Sequence, residues 1–131
     1  WHVNNVIEPN IKQGNILVSD RYSYSTIAYQ HAQGVELDYL IDKHKGFRKP
    51  HLSIIILPSV ESIIKRKAAE KNRPYEEVFE KSHDFIVNVR ENYRKMKDWL
   101  PDHNIVVLDG DRTREEIAED IKAHVDKVIF G

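Results

Sequence analysis

Apolar positions along the chain alternate between helical and strand-like spacing. Val3, Val6, Ile7 and Ile11 recur every three to four residues, so the chain opens inside a helix, which Gly14 stops. Ile16-Leu17-Val18 is a continuous apolar run closed by Ser19-Asp20-Arg21, the pattern of a strand buried on both faces. Residues 25–33 suit a helix, and Leu37, Leu40 and Ile41 mark another. Phe47-Arg48-Lys49-Pro50 is a loop, because proline disfavours helical backbone in the residue before it. The clearest strand is Leu52-Ser53-Ile54-Ile55-Ile56-Leu57; Pro58-Ser59 ends it, and Ser59 is placed to cap the helix carrying Ile63 and Ile64. Asn72-Arg73-Pro74 interrupts that helix. Pro74, as first helical residue, begins a long amphipathic helix to about Trp99 with Val78, Phe85, Val89 and Tyr93 on its apolar side. Asn104-Ile105-Val106-Val107-Leu108 is the third strand, Asp109-Gly110-Asp111 a turn, and Thr113 with Glu116 the capping box of a last helix carrying Ile117, Ile121 and Val125.

The order αβααβααβα predicts one α/β domain over residues 1–131, a three-layer α/β/α arrangement around a parallel sheet. Ligands in such sheets bind at the carboxyl ends of strands, here near 19–21, 58–59 and 109–110. Composition narrows the classes. Twenty Lys+Arg against 21 Asp+Glu give a net charge of −1, which argues against bulk electrostatic capture of nucleic acid. The absence of cysteine excludes disulfides and thiolate-ligated metals, and no apolar run approaches the ~20 residues of a membrane-spanning helix. With no secretory leader in the sequence, the expectation is a cytoplasmic chain. The chain starts at Trp1, within a helical pattern.

Chemistry concentrates in 18–30. Asp20 and Arg21 stand together where an apolar strand surfaces, and a guanidinium can grip a phosphate with two bonds. Ser25 and Tyr29 follow on one helical face, which suits a pocket for a polar ring and a sugar. By spacing alone, a strand-end ion pair with core tyrosines is the favoured reading. Ser82-His83-Asp84 spells a triad, but neighbours on one helix cannot form that geometry, and the seven histidines lack metal-ligand spacing.

Asp20-Arg21-Tyr22 followed by Ser25 and Ala28-Tyr29-Gln30 resembles the D-R-Y/H signature of thymidylate kinases, and the likeness continues on both sides. Trp1-His2-Val3 with Ile7, Pro9 and Gly14 resembles the helix after the family's base-clamping F-x-x-x-R. Lys49-Pro50-x-Leu52 resembles its K-P-D-L strand, Glu61 with Lys65-Arg66 its next helix, Arg90-x-x-Tyr93 the R-x-x-Y after its lid, and Val107-Leu108-Asp109-Gly110 its closing strand. The resemblance implies a P-loop kinase fold and phosphoryl transfer from ATP, with Mg2+, to thymidine monophosphate. It implies that Arg21 holds the acceptor phosphate, that Asp20 organises the phosphate and magnesium region, that Tyr22 lies beside them, and that Ser25 and Thr26 face the pyrimidine edge. Tyr29 would crowd a 2′-hydroxyl. The segment 65–77 would be the lid, with Arg66 and Arg73 as its catalytic cations and Tyr75-Glu76 approaching the acceptor; without the resemblance, a solvated helix end is the favoured reading of Lys65, Arg66, Lys67, Lys71 and Arg73. Asp109 and Gly110 would lie near the adenine, although D-G-D is also a common turn. Family members often form homodimers, and the stripe through Val3, Val6, Ile7 and Ile11 could serve as such a face or as core.

Two departures matter. No G-x-x-x-x-G-K-S/T phosphate loop occurs in the chain, so the resemblance implies a C-terminal major part of a longer protein whose central strand lies upstream. Residues 1–131 alone are then expected not to complete the sheet. K-P-D-L also reads Lys49-Pro50-His51-Leu52, and the family's strand-end L-D-V-P reads Ile56-Leu57-Pro58-Ser59, which loses an acid near the phosphates. A deoxynucleoside kinase of the same superfamily, whose signature reads E-R-S, and a non-catalytic relative that binds nucleotide or a protein remain open alternatives.

Overall fold

A computed structural model describes residues 3–20 and 22–131. A π-helical stretch, Val3–Ile7, leads into α1 (Glu8–Lys12), and Gly14 at φ +80° ends the helix as its sequence suggests. Ile7 is buried within the chain, so core packing accounts for that position of the opening stripe. There follow α2 (Ser23–Ala32), α3 (Leu37–Lys43), β1 (Ser53–Leu57), α4 (Val60–Lys71), α5 (Tyr75–Trp99), β2 (Ile105–Asp109) and α6 (Arg114–Phe130). Both expected caps are present. Ser59 Oγ accepts from the Ser62 amide at 3.1 Å, and Thr113 and Glu116 form the full capping box. Pro74 is the N-cap of α5 and not its first residue. Asn72 takes the left-handed conformation at φ 53°, closing α4 and turning the chain in three residues into α5, so 65–77 is a helical hairpin.

β1 and β2 pair in parallel, Ser53 opposite Ile105 and Leu57 opposite Asp109, which is the sheet type expected of an α/β fold. Alternation decides burial. Ile55 and Leu57 point into a core with Tyr24, Ile27, Leu40, Val89, Met96 and Ile105, whereas Ile56 points the other way and is 44% exposed. A second cluster of Ile64, Ala68, Val78 and Ile86 joins α4 to α5.

The strand expected at 16–18 is not formed. Ile16 and Val18 are 74% and 89% exposed, and the segment is irregular. A strand exists only as part of a ladder, and among the described residues nothing pairs with this one; β1 uses one edge for β2 and turns the other toward an open cleft. The sheet is therefore two-stranded among the described residues.

At the amino end of the sheet the Ser53 hydroxyl donates to Tyr24 Oη at 3.1 Å, and Tyr24 Oη lies 2.7 Å from His103 Nδ1. Burial pushes the Tyr24 phenol up and the His103 imidazole down, so the fold favours neutral His103. A histidine with a lowered folded pKa binds its proton more readily when unfolded. Its contribution is complete above the ordinary value of ~6.5 and is lost as pH falls through that value toward the folded one. Urea midpoints should therefore fall between about pH 7.5 and 5.5, and His103→Gln should flatten that fall. An unchanged slope in His103→Gln would show that the imidazole contributes nothing.

Candidate functional site

The loop leaving β1 is fastened from two sides. The Gly110 amide donates to Leu57 O at 2.9 Å, and the Ser59 amide donates to both carboxylate oxygens of Asp111, at 3.1 and 3.2 Å. That backbone bond, with a further one from the Ser62 side chain, holds the Asp111 carboxyl below the usual carboxylate range. From α5, Arg90 Nε donates to Pro58 O at 2.8 Å. The carboxyl end of β1 and the start of α4 are thereby set relative to both β2 and α5.

A cleft of about 670 Å³ opens beside this loop along the unpaired edge of β1. Its walls bring together candidate site residues from the sequence: Asp20 and Tyr22 before α2, Ser25 and Tyr29 within it, and Arg66 from α4. Arg66, Lys67, Lys71 and Arg90 face it against the carboxylates of Asp20 and Glu70, an excess of cations suited to a phosphorylated ligand. The same lining is also aromatic. The Tyr29 ring lies 6.1 Å from Phe85 and 6.4 Å edge-on from Tyr93. Tyr22 contributes its ring but not its hydroxyl, which donates to Arg48 O at 2.9 Å; burial raises its pKa. Arg48 in turn bonds both carboxylate oxygens of Glu8 at 3.1 and 3.2 Å, tying α1 to the same corner.

The described wall does not include the other sequence candidates. Arg21 is outside the described residues. Thr26 is on α2 but not on the cleft wall. Arg73 Nη1 donates to Glu77 at 2.7 Å and, with Lys67, Lys71 and Lys81, borders a second, basic cleft of about 490 Å³ between α4 and α5. Arg73, followed by Lys81, holds the Glu77 carboxyl low. Tyr75 packs on the Ile64–Val78 cluster, and Glu76 is exposed. Asp109 accepts from the Asp111 amide at 2.9 Å, and Gly110 lies against β1, so in this structure both serve the turn.

Phe85, Arg90 and Tyr93 join the cleft although spacing alone places Phe85 and Tyr93 only on a core-facing stripe. The signal that could have found them is Arg90-x-x-Tyr93 on one face of the helix that must pack against α2. Asp111 was also missed; its Asp-Gly-Asp context indicates a turn, not a clamp on a distant loop.

The thymidylate kinase family model matches residues 1–121. Among curated relatives, a protein named probable thymidylate kinase from Thermococcus onnurineus is 37% identical over 125 residues, covering 95% of this chain and 58% of its own. Those of Thermococcus kodakarensis and Pyrococcus abyssi are each 34% identical, over 80% and 99% of this chain and 50% and 61% of theirs. The chain thus spans about half to three fifths of the length of these relatives. With the aligned span, the D-R-Y…S…A-Y-Q string and the cationic cleft at the end of a parallel strand in agreement, the chain belongs to the thymidylate kinase family.

Proposed function

We propose that the complete protein transfers the terminal phosphoryl group of ATP to thymidine monophosphate, giving ADP and thymidine diphosphate. The observation that carries this is one cleft beside β1 whose lining joins Asp20, Ser25 and Tyr29 with Arg66 and Lys67. Phosphoryl transfer asks for alignment and neutralised charge more than for a strong base, and that is what such a wall supplies. Tyr29, Phe85 and Tyr93 offer rings to a flat base and sugar, while the α4 cations meet phosphate oxygens. Arg21, next to Asp20 in sequence, is assigned the acceptor phosphate by resemblance. Arg73 stays a lid residue in this scheme, released from Glu77 when a nucleotide competes for it.

Asp20 is a carboxylate on the wall of this cleft, and among the described residues no three acidic or histidine side chains cluster to hold a metal by themselves. That donor set fits Mg2+, which commonly binds one or two carboxylates together with substrate phosphates. Mg2+ would neutralise phosphate charge beside Asp20. We assign the strand between β1 and segment 16–18 to an upstream part of the protein that carries the phosphate loop. A cytoplasmic place and a homodimer complete the scheme through the resemblance.

Release of ADP by the complete protein should depend on thymidine monophosphate, and Arg21→Ala should lower kcat/KM at least ~100-fold. ADP release that ignores the monophosphate, or an Arg21→Ala variant as active as the parent, would overturn the assignment. Faster turnover of thymidine than of its monophosphate would make the protein a nucleoside kinase.

A further inference from the structure

Tyr22 is the N-cap residue of α2, in extended backbone, and makes no side-chain cap bond there. Tyrosine is not among the residues that cap helices well. Its hydroxyl is used elsewhere, donating to Arg48 O at 2.9 Å, twenty-six positions along the chain. The loop that offers this carbonyl is fastened on both sides. Arg48 Nη1 donates to both carboxylate oxygens of Glu8, the first residue of α1, and neither side chain is more than about a third exposed. Lys49 Nζ lies 3.0 Å from Asp102 Oδ2, and Asn104 Nδ2 donates to His51 O at 3.1 Å, which ties the same loop to the residues before β2. Burial, followed by the Glu8 carboxylate, raises the Tyr22 phenol against the opposing pull of Arg48, so the hydroxyl keeps its proton across the neutral range.

The ion pair is made by one nitrogen of the guanidinium. Nε is buried and has no hydrogen-bond partner among the described residues. A buried donor left unpaired costs ~1–3 kcal/mol, so this pair is a poor device for stability alone. What it does fix is the place of the Arg48 backbone. We infer that Arg48, clamped by Glu8, is a positioning residue for the acceptor monophosphate: it holds the carbonyl to which Tyr22 is tied, and so sets the turn into α2 that carries Asp20 and Tyr22 on the cleft wall. Arg21, assigned the acceptor phosphate, stands between these two residues in sequence. A binding wall works only when its groups are held to within about 0.5 Å, and α2 has no side-chain cap at Tyr22 to do this locally. The donor ATP is assigned to an upstream phosphate loop, so the device acts on one substrate and not on the other.

This role rests on the phosphoryl-transfer reading above, and the test separates the two. Steady-state ADP release is measured on the complete protein and on Tyr22→Phe, Arg48→Ala, their double variant and Arg48→Lys, each below its own Tm. Tyr22→Phe keeps the ring and removes only the hydroxyl. KM for thymidine monophosphate should rise roughly fivefold in Tyr22→Phe, by a similar factor in Arg48→Ala, and no further in the double variant, since both break one tether. KM for ATP should stay within about twofold throughout. Arg48→Lys keeps a cation for Glu8 and should stay within about twofold of the parent for both substrates. Should Arg48→Ala fail to fold, Glu8→Gln, which keeps the size and removes the charge, takes its place. Monophosphate-dependent release in the parent, with an unchanged monophosphate KM in Tyr22→Phe, overturns the inference alone. A parallel rise in both KM values, independent losses in the double variant, or an Arg48→Lys as impaired as Arg48→Ala also overturns it, because each shows general packing and not a charge-held tether. A parent whose ADP release ignores the monophosphate overturns the reading beneath it and the inference with it.

Discussion

Gly110→Ala should destabilise the chain by about 2–4 kcal/mol, read as a lower urea midpoint at unchanged m-value. The reason is space. A Cβ on Gly110 would stand 2.6 Å from Pro58 N and 2.9 Å from Leu57 C, both backbone atoms that cannot swing aside as a side-chain tip can. The same residue's amide bonds Leu57 O at 2.9 Å, so relief by separation also loses a hydrogen bond. The damage would reach the cleft, because 58–59 starts α4, and α4 carries Arg66. Gly46 is the control. Nothing lies within 4 Å of its added Cβ, and Gly46→Ala should be neutral or stabilise by ~0.5 kcal/mol through the unfolded chain. Equal midpoints for the two variants would remove the close approach of β1 and Gly110 from the account.

Met96→Ala should cost about 2–5 kcal/mol, while Met96→Leu should cost less than ~1.5 kcal/mol. Met96 is fully buried in the main core, where α5 crosses α2 and the β-strands. Alanine leaves a cavity that a long, well-packed helix cannot collapse to fill; leucine nearly conserves the volume. Tyr93 and Arg90 lie on the same helix toward its N-terminus, so a loosened α5 would also loosen the cleft wall. Denaturation of the two variants side by side checks this. A loss below ~1 kcal/mol for alanine would mean that α5 is not seated on this residue.

Much of the site's composition was legible. Asp20, Tyr22, Ser25 and Tyr29 were visible because they lie within ten residues of one another, and helical periodicity says which of them share a face. Arg66 was visible as one of the basic cluster between 65 and 73, which the family resemblance makes the lid. Tyr93 and Phe85 were not assigned to a site, since the same spacing that buries a helix face also builds a pocket wall. Asp111 was hidden for another reason: its partner, Ser59, lies fifty-two positions away, and a turn motif carries no information about what it fastens.

Local order came from the sequence alone: the succession of elements from α1 to α6, the Ser59 and Thr113 caps, the apolar strands β1 and β2 and the string that marks the family. These depend on interactions within a few residues, which periodicity and capping chemistry report directly. Tertiary structure alone decided that 16–18 finds no strand partner among the described residues, that Gly110 must be glycine for room, and that Tyr93 meets Ser25. Each of those depends on what stands opposite a residue in space. An apolar run becomes a strand only when a neighbour offers its amides and carbonyls, and two hydroxyls far apart in sequence meet only when the helices that carry them pack together.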